Sequence, residues 1–124
     1  MLTVLPIRYV ADVEASRTFY EGLGLTYRAD VSVPVWAHLD APAGAVGIHD
    51  FTVSKGKPIG TVELGFATDE RLEDVSARLT DRGYEHTLFD EDFGRSIRVT
   101  DPDGVVIQIQ EIDPDTMRRS QSQL

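Results

Sequence analysis

The segment Asp12 to Leu25, DVEASRTFYEGLGL, predicts a short amphipathic helix that follows a strand. Asp12 stands where an N-cap carboxylate accepts the free amide hydrogens of the first helical turn. One face of this helix combines the side chains of Val13, Ser16, Phe19, Tyr20 and Leu23. Gly22 and Gly24 indicate its end, and Leu2 to Tyr9 before it carry the β-branched and aromatic side chains typical of a strand.

Three strand-like segments follow this helix and complete the first half of the chain. Pro34 and a turn-forming run at residues 41–44 separate them, and they span Thr26 to Val33, Val35 to Leu39 and Ala45 to Phe51. The first half therefore predicts the order β-α-β-β-β. The next segment, SKGKPIG at residues 54–60, has no periodicity and is rich in turn-forming residues, which predicts a linker.

The same order of elements repeats after the linker. Residues 61–67 alternate like a strand, Asp69 offers a second N-cap, and Gly83 ends a helix. The buried stripe of that helix contains Leu72, Val75 and Leu79. A tight DPDG turn at residues 101–104 separates the last two of three more strands, which span Tyr84 to Phe89, Arg95 to Val99 and Val105 to Ile112.

These elements predict an α+β fold of two βαβββ modules in a single domain, residues 1–112. Module one covers residues 1–53, the linker 54–60 and module two 61–112. Two copies of a repeat of about sixty residues favour duplication of one module over a solenoid. The polar segment 113–124 lacks an apolar face, so we predict a C-terminal tail that frays.

Composition limits the classes of protein to which the chain could belong. Its 124 residues, 41% of them hydrophobic, suit one compact domain. The 21 acidic and 12 basic residues give a formal charge of -9, which disfavours nucleic-acid binding and could attract a cationic ligand. No apolar run approaches the roughly eighteen residues of a membrane span, and Met1 to Val10 does not match a signal peptide. We therefore expect a cytoplasmic protein with no membrane contact.

The first helix and the DPDG turn also carry the motifs of a known family. The helix has the pattern D-x3-S-x2-F-Y-x2-L-G-L, formed by Asp12, Ser16, Phe19, Tyr20, Leu23, Gly24 and Leu25. Together with the two βαβββ halves, this resembles the vicinal oxygen chelate superfamily of glyoxalases, bleomycin-resistance proteins and extradiol dioxygenases along residues 3–112. The resemblance implies curved mixed sheets that form cup-like half-barrels, with helices on the convex face. It also implies a homodimer that completes the cups.

Metalloenzymes of this family carry ligands on the first and fourth strands of each module. Carried over one by one, these positions fall on Leu5, on Ile48 or His49, on Glu63 and on Gln108. Leu5 cannot coordinate a metal ion, the spacing of the second half selects Ile48 over His49, and the family normally has Glu where this chain has Gln108. We therefore expect no cofactor, and keep one divalent metal ion held by His49, Glu63 and Gln108 as the alternative.

The remaining candidates define a ligand pocket on the concave face, which also includes Glu63 and Gln108. Glu63 is expected to pair with Arg98. Alternatively it contacts a ligand cation or acts as a general base, which makes it the one candidate catalytic residue. Trp36 and His38 share one face of their strand, so they form an aromatic wall if that face is concave and core if it is not. Phe93 flanks the mouth of the cup or anchors its loop.

These observations favour a protein that sequesters a small organic ligand, as bleomycin-resistance members do, with a cation as one candidate ligand. The alternative is a divalent-metal-dependent lyase, isomerase or dioxygenase. A third interpretation is an interaction domain whose cups are filled by side chains. The sequence contains no Ser/His/Asp elbow, phosphate-binding glycine loop or Rossmann fingerprint, so nucleophilic hydrolysis and nucleotide chemistry have no support.

Overall fold

A computed structural model of the chain describes residues 1–123. The chain divides into a first unit, Val4–Leu64, and a second unit, made of Met1–Thr3 and the residues from Gly65 onward. In chain order the strands are β1 (Leu2–Val4), β2 (Ile7–Val10), β3 (Thr26–Tyr27), β4 (Trp36–Ala41), β5 (Gly44–Asp50), β6 (Val62–Glu63), β7 (Gly65–Thr68), β8 (His86–Glu91), β9 (Gly94–Thr100) and β10 (Val106–Ile112). The α-helices are α1 (Val13–Gly22), α2 (Leu72–Asp81) and α3 (Pro114–Ser122).

Each unit contains one mixed five-stranded sheet. The first sheet has the order β3-β4-β5-β2-β6, and the second has the order β1-β7-β10-β9-β8. Strands β2 and β5 are parallel in the first sheet, as β7 and β10 are in the second, and the other pairs with a recorded register are antiparallel. This arrangement confirms the predicted α+β class with two βαβββ modules.

The structure differs from the sequence prediction where the first strand of each module was expected. The predicted strand Leu2 to Tyr9 is two strands, β1 and β2, and they belong to different sheets. The break falls at Leu5 and Pro6, because proline has no amide hydrogen to continue a ladder. The predicted strand at 61–67 is likewise divided at Leu64 into β6 of the first sheet and β7 of the second.

One helix covers one face of each sheet. In the first unit, α1 lies over a core of Val10, Val13, Ala37, Leu39 and Ile48. In the second unit, α2 lies over a core of Leu72, Val75, Ile97 and Ile109. Because side chains alternate along a strand, the residues between these core positions point to the opposite side. We call this opposite side the far face of each sheet.

The second helix begins differently from the prediction. Asp69 was expected to be its N-cap, but the helix starts at Leu72, and its N-cap Arg71 makes no side-chain cap bond. The amide of Leu72 instead donates to Glu111 Oε2 at 2.7 Å. A carboxylate from β10 therefore occupies the positive end of the helix, so a contact distant in sequence replaces the local cap.

The polar C-terminal segment forms helix α3 in its described part, an element that the sequence did not predict. Asp113 accepts a hydrogen bond from the amide of Asp115 at 3.1 Å, and Pro114 stands in the first turn of α3. Met117 is buried, and this single apolar contact was too sparse to produce a visible stripe. Leu124 lies outside the described residues. Among the described helices, none is long and apolar enough to cross a membrane.

A close contact at Gly47 generates a test of the first sheet. A Cβ atom added to Gly47 would lie 2.1 Å from Cη2 of Trp36, because the indole ring covers this backbone. We expect Gly47→Ala to lower the free energy of unfolding by about 1–3 kcal/mol, the usual cost of overpacking. Urea denaturation measures this change. Gly22→Ala in α1 is the matched control, since nothing lies within 4 Å of its added Cβ; equal stability of the two variants would contradict the packing argument.

Candidate functional site

The far face of the first sheet carries most of the predicted site residues of this unit. Two rows of side chains cross the strands there, set by the recorded register of the ladder. One row contains Trp36, His49 and Tyr9, and the other contains His38, Gly47, Ile7 and Glu63. Of the two alternatives raised from the sequence, Ile48 lies in the core under α1 and His49 lies on the far face.

Aromatic rings form the first of these rows. The ring centroids of Tyr9 and His49 are 5.1 Å apart, and those of Trp36 and His49 are 6.0 Å apart with planes at 79°. Tyr9 and Trp36 are buried, whereas His49 is half-buried. Trp36 thus belongs to an aromatic surface on the far face and not to the core under the helix.

Glu63 stands next to this row and is held by two partners. The Tyr9 hydroxyl donates a short hydrogen bond to Glu63 Oε1, and the Lys57 ammonium lies 3.0 Å from Oε2. Burial by itself raises the pKa of the Glu63 carboxyl, but the Tyr9 and Lys57 contacts outweigh burial and hold that pKa below its usual value. Burial of Tyr9 and the neighbouring Glu63 charge raise the pKa of the Tyr9 phenol. The hydroxyl therefore stays protonated and donates a hydrogen bond to Glu63.

Lys57 reaches Glu63 from the segment that the sequence predicted to be a linker. Ser54 is buried at the start of this segment, and its hydroxyl oxygen accepts the Lys57 amide at 3.1 Å. The same hydroxyl donates to the carbonyl of Phe51 at 2.5 Å. These bonds order the segment and fix the backbone of Lys57 beside β6.

Two buried polar atoms of β4 have no hydrogen-bond partner among the described residues. They are Nε1 of Trp36 and Nδ1 of His38. The other ring nitrogen of His38, Nε2, lies 3.0 Å from Asp40 Oδ1. Burial lowers the pKa of His38 more than Asp40 raises it, so the ring stays neutral, and Nδ1 is left as an acceptor when Nε2 carries the proton. A buried donor and a buried acceptor therefore remain for a ligand or a water to satisfy.

The far face of the second sheet carries Gln108, Arg98 and their neighbours. Gln108 pairs directly with Arg98 in the ladder, and Gln110 pairs with Ser96. The amide of Gln110 donates to Gln108 Oε1 at 2.9 Å, and Arg98 Nη2 donates to Glu91 Oε1 at 3.0 Å. Arg98 thus pairs with Glu91, and Glu63 pairs with Lys57, each within its own unit.

Leu5 and Phe93 complete the account of the predicted positions. Leu5 is fully buried, and its apolar side chain has no atom that could coordinate a metal ion. The carbonyl of Phe93 accepts the amide of Asp113 at 2.7 Å, which anchors the loop between β8 and β9.

The donor set of the first unit does not fit the divalent metal ion that the family resemblance implies. Both carboxylate oxygens of Glu63 already contact positive or donor groups, and Nδ1 of His49 lies 2.7 Å from the carbonyl of Asp50. A metal ion at Glu63 would have to displace the Lys57 ammonium. Throughout residues 1–123, no group of three His, Cys, Asp or Glu side chains is placed to hold a metal ion.

Sequence reasoning missed Tyr9, Lys57 and Glu91. Tyr9 carries a usable signal, because it lies four residues after Leu5 and alternation puts both on the same side of a strand. Lys57 carries none, since its segment has no periodicity and its position depends on Ser54. Glu91 lies at the end of β8, two residues beyond the predicted strand Tyr84 to Phe89.

Comparisons with known proteins agree with this architecture. The sequence profile described as Glyoxalase/Bleomycin resistance protein/Dioxygenase superfamily matches residues 3–109. No curated protein gives a significant match.

Solved structures share the fold at low identity. A structure titled NAD-dependent benzaldehyde dehydrogenase from Legionella pneumophila is 22% identical with a TM-score of 0.64, over 89% of this chain and 99% of that one. A hypothetical protein from Bacillus halodurans C-125 is 13% identical with a TM-score of 0.63, over 91% and 94%. An extradiol ring-cleaving dioxygenase from B. fuscum is 18% identical with a TM-score of 0.51, over 96% of this chain and 35% of that one.

The Tyr9 hydrogen bond generates a prediction about Glu63. Tyr9→Phe removes a contact that favours the carboxylate, so we expect the pKa of Glu63 to rise, as measured by a carboxyl-carbon NMR titration. Because the folded-state pKa of Glu63 is depressed, its ionisation stabilises the wild type above the unfolded-state pKa, and this stabilisation is lost as pH falls through the folded-state value. The variant should therefore lose more stability at pH 7 than at pH 3.

Tyr84→Phe is the control, because Tyr84 is exposed and belongs to the second unit. It should leave the titration of Glu63 unchanged. An unchanged Glu63 pKa in Tyr9→Phe would show that the hydrogen bond does not govern this carboxylate.

Proposed function

Because the chain belongs to the glyoxalase/bleomycin resistance protein/dioxygenase superfamily, we propose that it binds a small organic cation at Glu63 and sequesters it without a metal ion. One observation carries this proposal: an ammonium group, that of Lys57, already lies 3.0 Å from Glu63 Oε2. The carboxylate is therefore placed to hold a positive charge. A ligand ammonium entering from solvent would take the position of Lys57.

The aromatic row supports a cation as the ligand. Aromatic faces attract ammonium groups, and the attraction strengthens when the cation is withdrawn from water. Tyr9 contacts Glu63 directly, and its ring neighbours that of His49 at 5.1 Å. The side chain of Glu63 is 35% exposed and that of Lys57 is 43% exposed, so the ion pair is reachable from solvent. A formal charge of -9 would also concentrate cations near the protein.

The protonation states at this site favour binding over proton transfer. A general base works best when its pKa lies near the working pH, whereas the contacts of Glu63 hold its pKa below the usual carboxyl value. Tyr9 has a raised pKa and keeps its proton. Neither group is tuned to exchange a proton at neutral pH, so both are suited to fixing a ligand in place.

The metal-dependent lyase, isomerase or dioxygenase remains the second candidate. Its one supporting observation is that His49 lies on the far face, with its half-buried ring beside Tyr9. It would require Lys57 to leave Glu63 and a third donor to join them. Calorimetric titration with Mn²⁺ and Zn²⁺ separates the candidates, because sequestration by Glu63 predicts no metal-dependent gain in affinity for an organic cation.

We also propose that the protein acts as a cytoplasmic homodimer. Strand β8 is an edge of the second sheet, and its exposed Leu88 lies on the same side as Ile97, away from the far face. A second copy of the chain could cover such an edge, which would otherwise be prone to unspecific pairing. Sedimentation equilibrium should give twice the chain mass of 13.8 kDa. A single 13.8 kDa species at micromolar concentrations would contradict the dimer.

Glu63→Gln tests the proposed function directly. The change keeps the shape of the side chain and its bond to Tyr9 but removes the negative charge. We expect the affinity for benzyltrimethylammonium to fall about tenfold or more, since a hydrogen bond or contact to a charged group is worth about 1.5 kcal/mol or more. Isothermal titration calorimetry at low salt measures this loss.

Two further variants test the same proposal, and one of them is a control. Lys57→Gln removes the competing ammonium, so it should tighten binding of the same probe. Glu85→Gln removes one negative charge from an exposed residue of the second unit and should leave the affinity unchanged. If Glu63→Gln binds the probe as well as the wild type does, Glu63 is not the cation site.

A further inference from the structure

We propose that the far face of the second sheet binds a small carboxylate through the Arg98 guanidinium and the Gln108 side-chain amide. This site has the opposite polarity to the one at Glu63. Every residue that forms it belongs to the second unit. The proposal therefore stands independently of the function proposed for the first unit.

Several N–H groups on this face have no hydrogen-bond acceptor among the described residues. Glu91 Oε1 accepts from Arg98 Nη2 and from the Ser96 hydroxyl, each at 3.0 Å, and Gln108 Oε1 accepts from Gln110 at 2.9 Å. Within residues 1–123, Arg98 Nε and Nη1 and Gln108 Nε2 donate to no protein atom. Free N–H donors on this face are suited to a ligand rich in acceptors.

The register brings these donors to one place. Gln108 lies directly opposite Arg98 in the antiparallel ladder of β10 and β9. Cβ atoms in such pairs lie about 5 Å apart, so both side chains can reach one planar anion. A guanidinium presents two parallel N–H groups that match the two oxygens of a carboxylate. A carboxylate is thus the simplest group that uses the donors available.

Phe89 holds the guanidinium in place and offers apolar surface beside it. The Arg98 guanidinium carbon lies 4.4 Å from the centroid of the Phe89 ring, and this ring is 39% exposed. Stacking on an aromatic face restricts the guanidinium plane, which lowers the entropic cost of binding. A carboxylate attached to a flat apolar group would contact both residues.

A depression of about 710 Å³ adjoins Arg98 and provides room for such a ligand. Thr87 of β8 and Thr100 of β9 line it beside Arg98, together with Tyr84, Glu85 and His86. This volume suits a molecule with one ring or a short chain. The hydroxyl groups of the two threonines add further donors near the anion.

Glu91 acts as the internal competitor of this ligand. Its side chain is only 13% exposed and its Oε1 lies 3.0 Å from Arg98 Nη2. The protein carboxylate thus occupies part of the guanidinium and lowers its net attraction for an external anion. Removing the charge of Glu91 while keeping its shape should expose the full charge of Arg98.

Binding of benzoate to the full-length protein tests the site, with NMR chemical-shift titration as the readout. We expect Arg98→Gln to weaken benzoate binding about tenfold or more, and Glu91→Gln to tighten it about fivefold, the range of a partly exposed ion pair. The control Arg82→Gln removes a positive charge at the exposed end of α2 and should change nothing.

Three outcomes would overturn the proposal: no benzoate binding by the wild type, wild-type affinity in Arg98→Gln, or weaker binding in Glu91→Gln. Should Arg98→Gln not fold, Gln108→Met tests the same site, because it removes the second donor and leaves the arginine in place. We expect a severalfold loss of benzoate affinity in Gln108→Met. An unchanged affinity in that variant would remove Gln108 from the site and overturn the proposal as stated.

Discussion

The packing of one helix against one face of each sheet governs the rest of this structure. Once α1 covers Ala37, Leu39 and Ile48, the alternation of the strands sends Trp36, His38 and His49 to the far face. The same rule in the second unit places Ile97 and Ile109 under α2 and turns Gln108 and Arg98 away from it. The helices supply apolar burial, and the far faces are left free to hold polar side chains.

Each far face carries an ion pair formed within its own unit. Glu63 pairs with Lys57 in the first unit, and Arg98 pairs with Glu91 in the second. Such pairs avoid the cost of an unpaired charge in a half-buried place. They also mark the polarity of a ligand, because the proposed ligand charge would take the position of Lys57 in the first unit and compete with Glu91 in the second. An exposed ion pair is worth little, so a ligand that adds apolar contacts can replace one member.

The sequence predicted this fold well because its signals are local. The Asp12 cap, the stripe of α1 and the turn at residues 101–104 each lie within one element, and the repeat of these signals predicted two modules. The division of β1 from β2 escaped prediction, since alternation continues unchanged across Leu5 and Pro6. The partners of Glu63 escaped it too, because the Tyr9 bond spans 54 residues and Lys57 depends on a loop held by Ser54. Alternation predicts the face of a side chain, whereas its partner is decided by tertiary packing.

The donor groups of the first unit reflect the same packing. A divalent ion needs at least three donors with free lone pairs, whereas Leu5 offers none and the oxygens of Glu63 contact Tyr9 and Lys57. Restoring a ligand at Leu5 would put a polar group at a fully buried position, at a cost of a few kcal/mol unless the ion itself repaid it. Removing Lys57 alone would leave Glu63 with Tyr9 and no further carboxylate. A metal ion at Glu63 would therefore require several coordinated changes, whereas the proposed organic cation would require only the displacement of the Lys57 side chain.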